Sequence, residues 1–206
     1  PQNDIMHPNL TVFETLLYTA RIRQPFSLRR TEQLRKVNQT IGQLRLENVQ
    51  HSIIGDEAVR GISGGQKKRV NIGIELVSDP SILFCDEATS GLDSGNSLLV
   101  MQMLRKIAEG HITVIAVIHQ PREEIFNLFH EILLLGHGGR TIYHGETSKV
   151  LSYFGSLRYE MPPSQNPADF LIDVVVGDRE PVSTEAPEEQ INSPIGLSKL
   201  LNKKLT

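Results

Sequence analysis

The sequence has little of what marks a secreted, membrane-spanning or nucleic-acid-binding chain. Its 206 residues include one cysteine, so no disulfide can form within the chain and a reducing, cytosolic setting is favoured. No run approaches the roughly 18 consecutive apolar residues of a membrane span, and no signal peptide is visible. A net charge of -3 offers no basic surplus that would favour nucleic acid as a partner. With 39% hydrophobic and 22% charged residues, the composition is that of an ordinary globular domain.

The spacing of the apolar residues predicts a helical first part, followed by alternating strands and helices. Two helices are expected before Ser63, the second of them capped by Thr31. Further along, two buried strands are expected on either side of a helix, and a hairpin around the glycine pair after His137. The predicted elements are helices over 64–77, 94–109, 121–129, 147–154 and 168–175, and strands over 81–85, 112–118, 131–135 and 140–144. Beyond Gly177 a proline- and glutamate-rich composition predicts a linker.

Two segments carry the chemistry, SGGQKKR from Ser63 to Arg69 and ILFCDE over 82–87. The first begins a basic helix after a hydroxyl and two glycines, and such a helix start presents free N–H groups and partial positive charge to a phosphate. The second is an apolar strand that ends in Asp86 and Glu87, which places two carboxylates at its C-terminal end. Each segment alone has an ordinary alternative, a serine helix cap or acids that cap a turn. Together they indicate nucleoside triphosphate hydrolysis.

In order and wording, the two segments resemble the ABC ATPases, whose signature is LSGGQ and whose Walker B strand ends in Asp-Glu. The resemblance implies an α/β fold, a partial P-loop-type ABC nucleotide-binding domain over 1–177. Its helical signature subdomain is expected over about 1–78, and its parallel-sheet core with the Walker B strand and switch histidine over about 79–177. Residues 178–206 would be a polar linker towards a transmembrane domain.

The sequence contains no Walker A loop, G-x-x-x-x-G-K-[ST]. The N-terminal portion of the sheet is therefore expected to be missing, and the chain by itself is predicted to be inactive as an ATPase. A Walker A loop is expected some tens of residues before Gln2, and membrane spans after Thr206.

The resemblance implies that the signature segment binds ATP held on the opposite subunit's Walker A loop. The residues concerned are Ser63, Gly64, Gly65 and Gln66. Ser63 would supply a hydroxyl to the γ-phosphate, and the two glycines would let the backbone approach closely.

The acid pair and the loop that follows it also acquire roles from the resemblance. Asp86 would hold Mg²⁺ through water, and Glu87 would orient and deprotonate the attacking water. The D-loop comes next, and its Ser90 and Asp93 would couple the two ATP sites across the dimer. Ala88 stands where proline is commoner in the family.

Two further residues complete the expected site. A lone histidine after an apolar strand is more often structural, but His119 follows Glu87 by 32 residues, at the position of the ABC switch histidine. It would contact the γ-phosphate. Gln2 resembles the Q-loop glutamine, which ligates Mg²⁺ and reports the nucleotide state to the membrane domain. The expected metal ligands are thus Asp86 and Gln2.

Four short segments resemble subfamily G in particular, the white and pleiotropic-drug-resistance transporters. They are VRGI at 59–62, HQPR at 119–122, YHG at 143–145 and NPADFLID at 166–173. This implies a membrane protein whose ATPase domain lies on the cytosolic face and drives export of lipids, sterols or hydrophobic small molecules. The implied partners are a second nucleotide-binding domain, in a head-to-tail dimer with ATP between them, and the protein's own transmembrane domain. Nucleic acid is not expected as a partner.

Two alternatives remain open from the sequence. One is a soluble, non-transport ABC ATPase of the translation-factor or chromosome-maintenance sort, although the latter needs a coiled coil for which about 60 residues before Ser63 leave no room. The other is a truncated product that binds partner subunits without hydrolysing ATP, which the missing Walker A loop would favour.

Overall fold

The computed structural model describes residues 6–56 and 58–182, which divide into two compact units on either side of the His119–Gln120 bond. In the described part of the N-terminal unit, four α-helices and one short 3-10 helix, Glu47–Val49, accompany two strands. The α-helices and strands are α1 Val12–Arg23, α2 Arg30–Gln43, α3 Gly64–Leu76, β1 Ile82–Asp86, α4 Ser94–Glu109 and β2 Thr113–Val117. The described part of the C-terminal unit comprises α5 Glu123–Phe126, β3 Glu131–Leu135, β4 Thr141–Glu146, α6 Thr147–Ser156 and α7 Pro167–Val176. The mixed α/β character predicted from the sequence is confirmed.

Helices α1, α2 and α3 pack together through their apolar faces. Helix α1 begins where the sequence provides a capping box, in which Thr11 and Glu14 exchange hydrogen bonds between side chain and backbone. Val12, Leu16 and Ala20 then follow at helical spacing and are fully buried. The helical character predicted for this part of the chain is confirmed.

Helix α2 begins two residues earlier than its predicted cap would allow. Because the helix starts at Arg30, Thr31 lies inside its first turn, and the prediction that Thr31 caps the helix is wrong. The carboxylate of Glu32 instead accepts a hydrogen bond from the Arg29 backbone N–H at 3.1 Å. That bond satisfies a backbone donor at the helix start without a serine or threonine cap.

Strands β1 and β2 form a parallel pair in which Ile82 faces Thr113 and Asp86 faces Val117. Helix α4 connects them, as expected for parallel strands. The prediction that both strands are buried holds for one face of β1 alone, since Val114 and Ala116 on the same face of β2 are only partly buried. Leu83 and Cys85 are buried, whereas alternate residues of the other face are exposed by about half or more: Ile82 50%, Phe84 73%, Ile115 47% and Val117 60%.

The C-terminal unit is built on the predicted hairpin, with β3 and β4 antiparallel and a register shift between Leu134 and Leu135. One face of the hairpin packs on a core that includes α6 and α7. The buried members of this core are Phe126, Ile142, Val150, Phe154, Tyr159, Ala168, Phe170, Leu171 and Val174. Across the part of the chain that the structure describes, no helix is long and apolar enough to cross a membrane.

Candidate functional site

The start of helix α3 is an exposed, positively polarised helix end. Ser63 caps it, since its Oγ accepts a hydrogen bond from the Gln66 N–H at 3.3 Å while Gln66 Oε1 accepts one from the Ser63 N–H at 2.8 Å. As an acceptor in this pair, Ser63 keeps its hydroxyl proton available to a ligand. The N–H groups of Gly64 and Gly65 lie in the first turn, where a helix supplies no internal acceptor. With no acid in this turn, the helix start suits an anion such as phosphate.

The two glycines of this turn have different surroundings. A Cβ at Gly64 would meet nothing within 4 Å, so the space above its backbone is open. A Cβ at Gly65 would lie 3.0 Å from the Cγ and Oδ1 atoms of Asn96 on α4, which is tighter than ordinary van der Waals contact. Gly65 is therefore required by packing inside the unit, whereas Gly64 leaves room for something outside it.

Arg69 holds the start of α3 against the end of α2. Arg69 is 9% exposed, and its guanidinium donates to the carbonyl oxygens of Leu44 at 3.1 Å, Arg45 at 3.0 Å and Gly65 at 3.3 Å. Lys67 adds a bond from its Nζ to the Gly55 carbonyl at 2.7 Å. The sequence predicts this positioning role for neither cation. The acceptors at Leu44 and Gly55 lie 25 and 12 residues away, so sequence spacing carries no signal for these bonds.

The acid pair lies at the C-terminal end of the parallel strands. Asp86 is the last residue of β1 and is exposed, and Glu87 is partly buried and follows it with a φ of 47°. Left-handed backbone is uncommon for a residue other than glycine, and such strain concentrates at functional sites. The Glu87 N–H donates to the Val117 carbonyl at 3.0 Å, which ties the end of β1 to the end of β2. His119 follows two residues after Val117, so both acids and the histidine come from one edge of the sheet.

Cys85 lies immediately before the acids on the buried face of β1. Burial raises the pKa of its thiol to about 11, and the nearby positive charge of Lys68 opposes this rise. The side chain is therefore a protonated thiol at neutral pH and serves as a small apolar group in the packing.

The loop after the acids ends at Asp93, which caps α4. Its Oδ1 accepts hydrogen bonds from the N–H groups of Gly95 and Asn96, both at 3.0 Å, and its Oδ2 accepts one from the Asn96 side chain at 2.5 Å. The bonds from Asn96 are the main reason that the pKa of Asp93 lies below its ordinary value. Ser90 is exposed, and its N–H donates to the Glu87 carbonyl at 3.0 Å. In this structure the Asp93 carboxylate is committed to the helix cap.

Among the residues that the structure describes, no group of three or more His, Cys, Asp or Glu side chains could hold a metal ion. A single exposed carboxylate, that of Asp86, is nevertheless compatible with Mg²⁺, because this ion keeps several waters and binds one or two carboxylates together with substrate phosphates. The other predicted ligand, Gln2, lies outside the described residues.

The predicted residues thus form two groups in the N-terminal unit. The signature segment, from Ser63 to Gln66, lies beside the start of α4 through the contact of Gly65 with Asn96. The second group is the strand edge with Asp86, Glu87 and His119. Within the described residues, no hydrogen bond joins Ser63 to this second group.

Comparison with known proteins gives two family matches and many relatives. The family described as ABC transporter matches residues 1–90, and the family described as ABC-2 type transporter matches residues 119–196. The mouse (Mus musculus) broad substrate specificity ATP-binding cassette transporter ABCG2 is 44% identical over 191 residues, which are 93% of this chain and 29% of the relative. ABC transporter G family member 28 of Arabidopsis thaliana is 45% identical over 177 residues, 86% of this chain and 16% of the relative. The chain therefore spans less than a third of the length of these relatives.

Proposed function

Because the chain belongs to subfamily G of the ABC transporters, a family of ATPases with a P-loop-type nucleotide-binding fold, we propose that it is the ATP-binding and hydrolysing part of a membrane transporter. The observation that carries the proposal is the edge of the β1–β2 sheet. There Asp86 ends one strand and Glu87 follows it, His119 follows the other strand, and the Glu87 backbone is held in a left-handed conformation. The relatives favour this reading over a soluble, non-transport ATPase.

At this edge of the sheet, different residues of the chain have different roles in ATP hydrolysis. Glu87 accepts a proton from the attacking water and orients that water, and its bond to Val117 fixes the backbone from which the carboxylate reaches. His119 contacts the γ-phosphate from the neighbouring strand. Mg²⁺, when bound by Asp86 and Gln2, supplies positive charge that offsets the charge of the phosphates.

The signature segment acts on the ATP of a partner. The free N–H groups of Gly64 and Gly65, the Ser63 hydroxyl and the open space above Gly64 support contact with a phosphate that belongs to another chain. Such contact requires a second nucleotide-binding domain in a head-to-tail dimer with ATP between the two domains. Ser90 and Asp93 lie on the loop that joins the strand edge to α4, so a coupling of the two sites through this loop is part of the proposal.

The exposed apolar face of the β1–β2 sheet supports a larger sheet in the intact protein. Parallel sheets are normally covered on both faces, and here Phe84 and Val117 are more than half exposed. We propose that further strands and a helix of the nucleotide-binding domain, including the Walker A loop, cover this face. On this basis residues 1–177 are part of one nucleotide-binding domain and 178–206 are a linker to the transmembrane domain.

The transport direction and substrates rest on subfamily membership. The proposal is export of lipids, sterols or hydrophobic small molecules, with the ATPase domain on the cytosolic face. Membrane helices outside this chain would select the substrate.

The test is Glu87→Gln in the full-length transporter, with ATP binding and ATP turnover measured on the same preparation. The amide cannot accept the proton, so we expect kcat to fall by a factor on the order of 10² or more while ATP still binds. Glu109→Gln is the matched control, because Glu109 is an exposed residue in the last turn of α4. We expect ATP turnover by this variant to equal that of the parent.

Hydrolysis by Glu87→Gln at the parent rate would show that Glu87 is not the general base. Loss of ATP binding together with turnover would point to a role in the fold or in nucleotide binding instead.

A further inference from the structure

The segment that follows β2 carries the switch histidine and then a residue with left-handed backbone. His119 and Gln120 form a bend, and Gln120 has a φ of 46°. Pro121 comes next and has no N–H to donate, so its carbonyl is the polar backbone group through which it can be held. That carbonyl accepts a hydrogen bond at 2.8 Å from the side-chain amide of Asn166, 45 residues further along the chain.

Both polar atoms of the Asn166 side chain form hydrogen bonds. While Nδ2 donates to Pro121, Oδ1 caps helix α7 by accepting from the Ala168 N–H at 3.0 Å. Pro167 occupies the first turn of this helix, where its fixed φ suits a helix start. The preceding residue, Gln165, donates through Nε2 to the Asp173 carboxylate at 2.7 Å, which also holds the helix start in place.

Helix α7 is a firm anchor for this bond. Phe170, Leu171 and Val174 are almost fully buried, and α7 packs against the short helix α5 that continues the chain from Pro121. A rotamer held by packing and by bonds at both ends positions its partner better than a free side chain does. The bond therefore restrains the residues that directly follow His119 and Gln120.

We propose that Asn166 is a positioning residue for His119, acting through its hydrogen bond to the Pro121 carbonyl. This rests on the proposed function, in which His119 contacts the γ-phosphate of ATP. Without the bond, the left-handed bend at Gln120 relaxes, and His119 spends less time in the position that hydrolysis requires. We expect nucleotide binding itself to be unaffected, because the hydrogen bonds of Asn166 go to the Pro121 carbonyl and the Ala168 N–H.

The test uses Asn166→Asp and Asn166→Ser in the full-length protein. Both replacements keep an oxygen that caps α7, and a negative charge at a helix start is favourable, so both variants are expected to fold. The aspartate has no proton to donate, and the serine side chain is shorter than the distance to Pro121 requires. Ser164→Ala is the matched control, because Ser164 is an exposed polar residue two positions before Asn166.

Three measurements on these variants test the proposal. We expect kcat for ATP hydrolysis to fall about 3- to 10-fold in both variants with an unchanged KM, as for the loss of one hydrogen bond that acts after binding. Backbone amides of Glu123–Phe126 should exchange with solvent faster than in the parent, a measurement that needs no hydrolysis. In a His119→Ala background, Asn166→Asp should cause no further loss of turnover, because the two residues act as one unit.

If both Asn166 variants had the same kcat and the same amide exchange rates as the parent, the proposal would be wrong. An equal loss of turnover in the His119→Ala background, or in Ser164→Ala, would also overturn it. If the parent protein itself does not hydrolyse ATP, the proposed function is wrong, and the exchange rates still decide whether Asn166 holds this segment.

Discussion

At the scale of single residues, the two glycines after Ser63 separate a packing requirement from a binding requirement. Gly65 faces Asn96, and an added methyl group would push on a side chain that also bonds to Asp93. Gly64 faces open space, and alanine is a better helix former than glycine. If Gly64 is nevertheless needed, the reason lies in a ligand or partner that approaches its backbone.

Gly64→Ala and Gly65→Ala therefore form a matched pair of variants. We expect Gly64→Ala to keep or slightly raise the thermal unfolding midpoint while it lowers ATP turnover in the full-length transporter. Gly65→Ala should lower the midpoint, with a cost of about 1–3 kcal/mol for forcing an extra methyl group into a packed contact. Thermal unfolding and ATPase assays on the same preparations check both expectations. Equal destabilisation by the two substitutions would contradict the distinction.

At the scale of elements, the sequence placed the starts of α3, α4 and α6 correctly, and at α3 and α4 a side-chain cap marks the start. Helices α3 and α4 begin after Ser63 and Asp93, both of which accept hydrogen bonds from the first turn. Helix α2 was misplaced because its start is satisfied by Glu32 reaching back to Arg29, which leaves no cap residue to recognise. The tie of Asn166 to Pro121 joins positions 45 residues apart, so a single sequence contains no local signal for it.

The cap of α4 has a pH dependence whose sign follows from the Asp93 bonds. These bonds favour the charged carboxylate, so the pKa of Asp93 in the folded protein lies below its ordinary value of 3.8. The stabilisation by the cap is present above the pKa of the unfolded chain and is lost as the pH falls through the lower pKa of the folded state. Acidification should therefore fray the first turn of α4, while the same helix is unaffected near neutral pH.

An NMR titration of the Asp93 carboxyl carbon tests this directly. We expect its pKa to lie below 3.8 in the parent, and to rise towards that value in Asn96→Ala, which removes the side-chain donor and keeps the backbone donor. Glu109→Ala, at the other end of α4, should leave the titration unchanged. A parent pKa at or above 3.8 would refute the cap as the cause.

At the scale of the whole molecule, the sequence predicted the α/β class and the parallel pairing behind the acid pair, but it misjudged the burial of that sheet. Apolar strands with acids at their ends are typical of sheets covered on both faces. In the part of the chain that the structure describes, Leu83 and Cys85 are buried, whereas Phe84 and Val117 are exposed. The burial of a strand depends on every element that packs on its sheet. The apolar residues of β1 and β2 therefore match the cover that we propose for the intact domain.

Phe84→Lys should therefore have opposite effects in the chain by itself and in the full-length transporter. In the chain by itself, an apolar patch of this kind promotes association, so the charged residue should raise the monomeric fraction measured by size-exclusion chromatography. In the full-length protein, where we propose that this face is covered, the loss of a buried aromatic costs about 3–5 kcal/mol and should lower the temperature at which ATPase activity is lost. Phe26→Lys is the matched control, because Phe26 is 100% exposed outside the sheet and the substitution should be tolerated in the full-length protein. If Phe84→Lys were as well tolerated there as Phe26→Lys, the face would be exposed in the intact transporter as well, and the proposal of a larger covered sheet would fail.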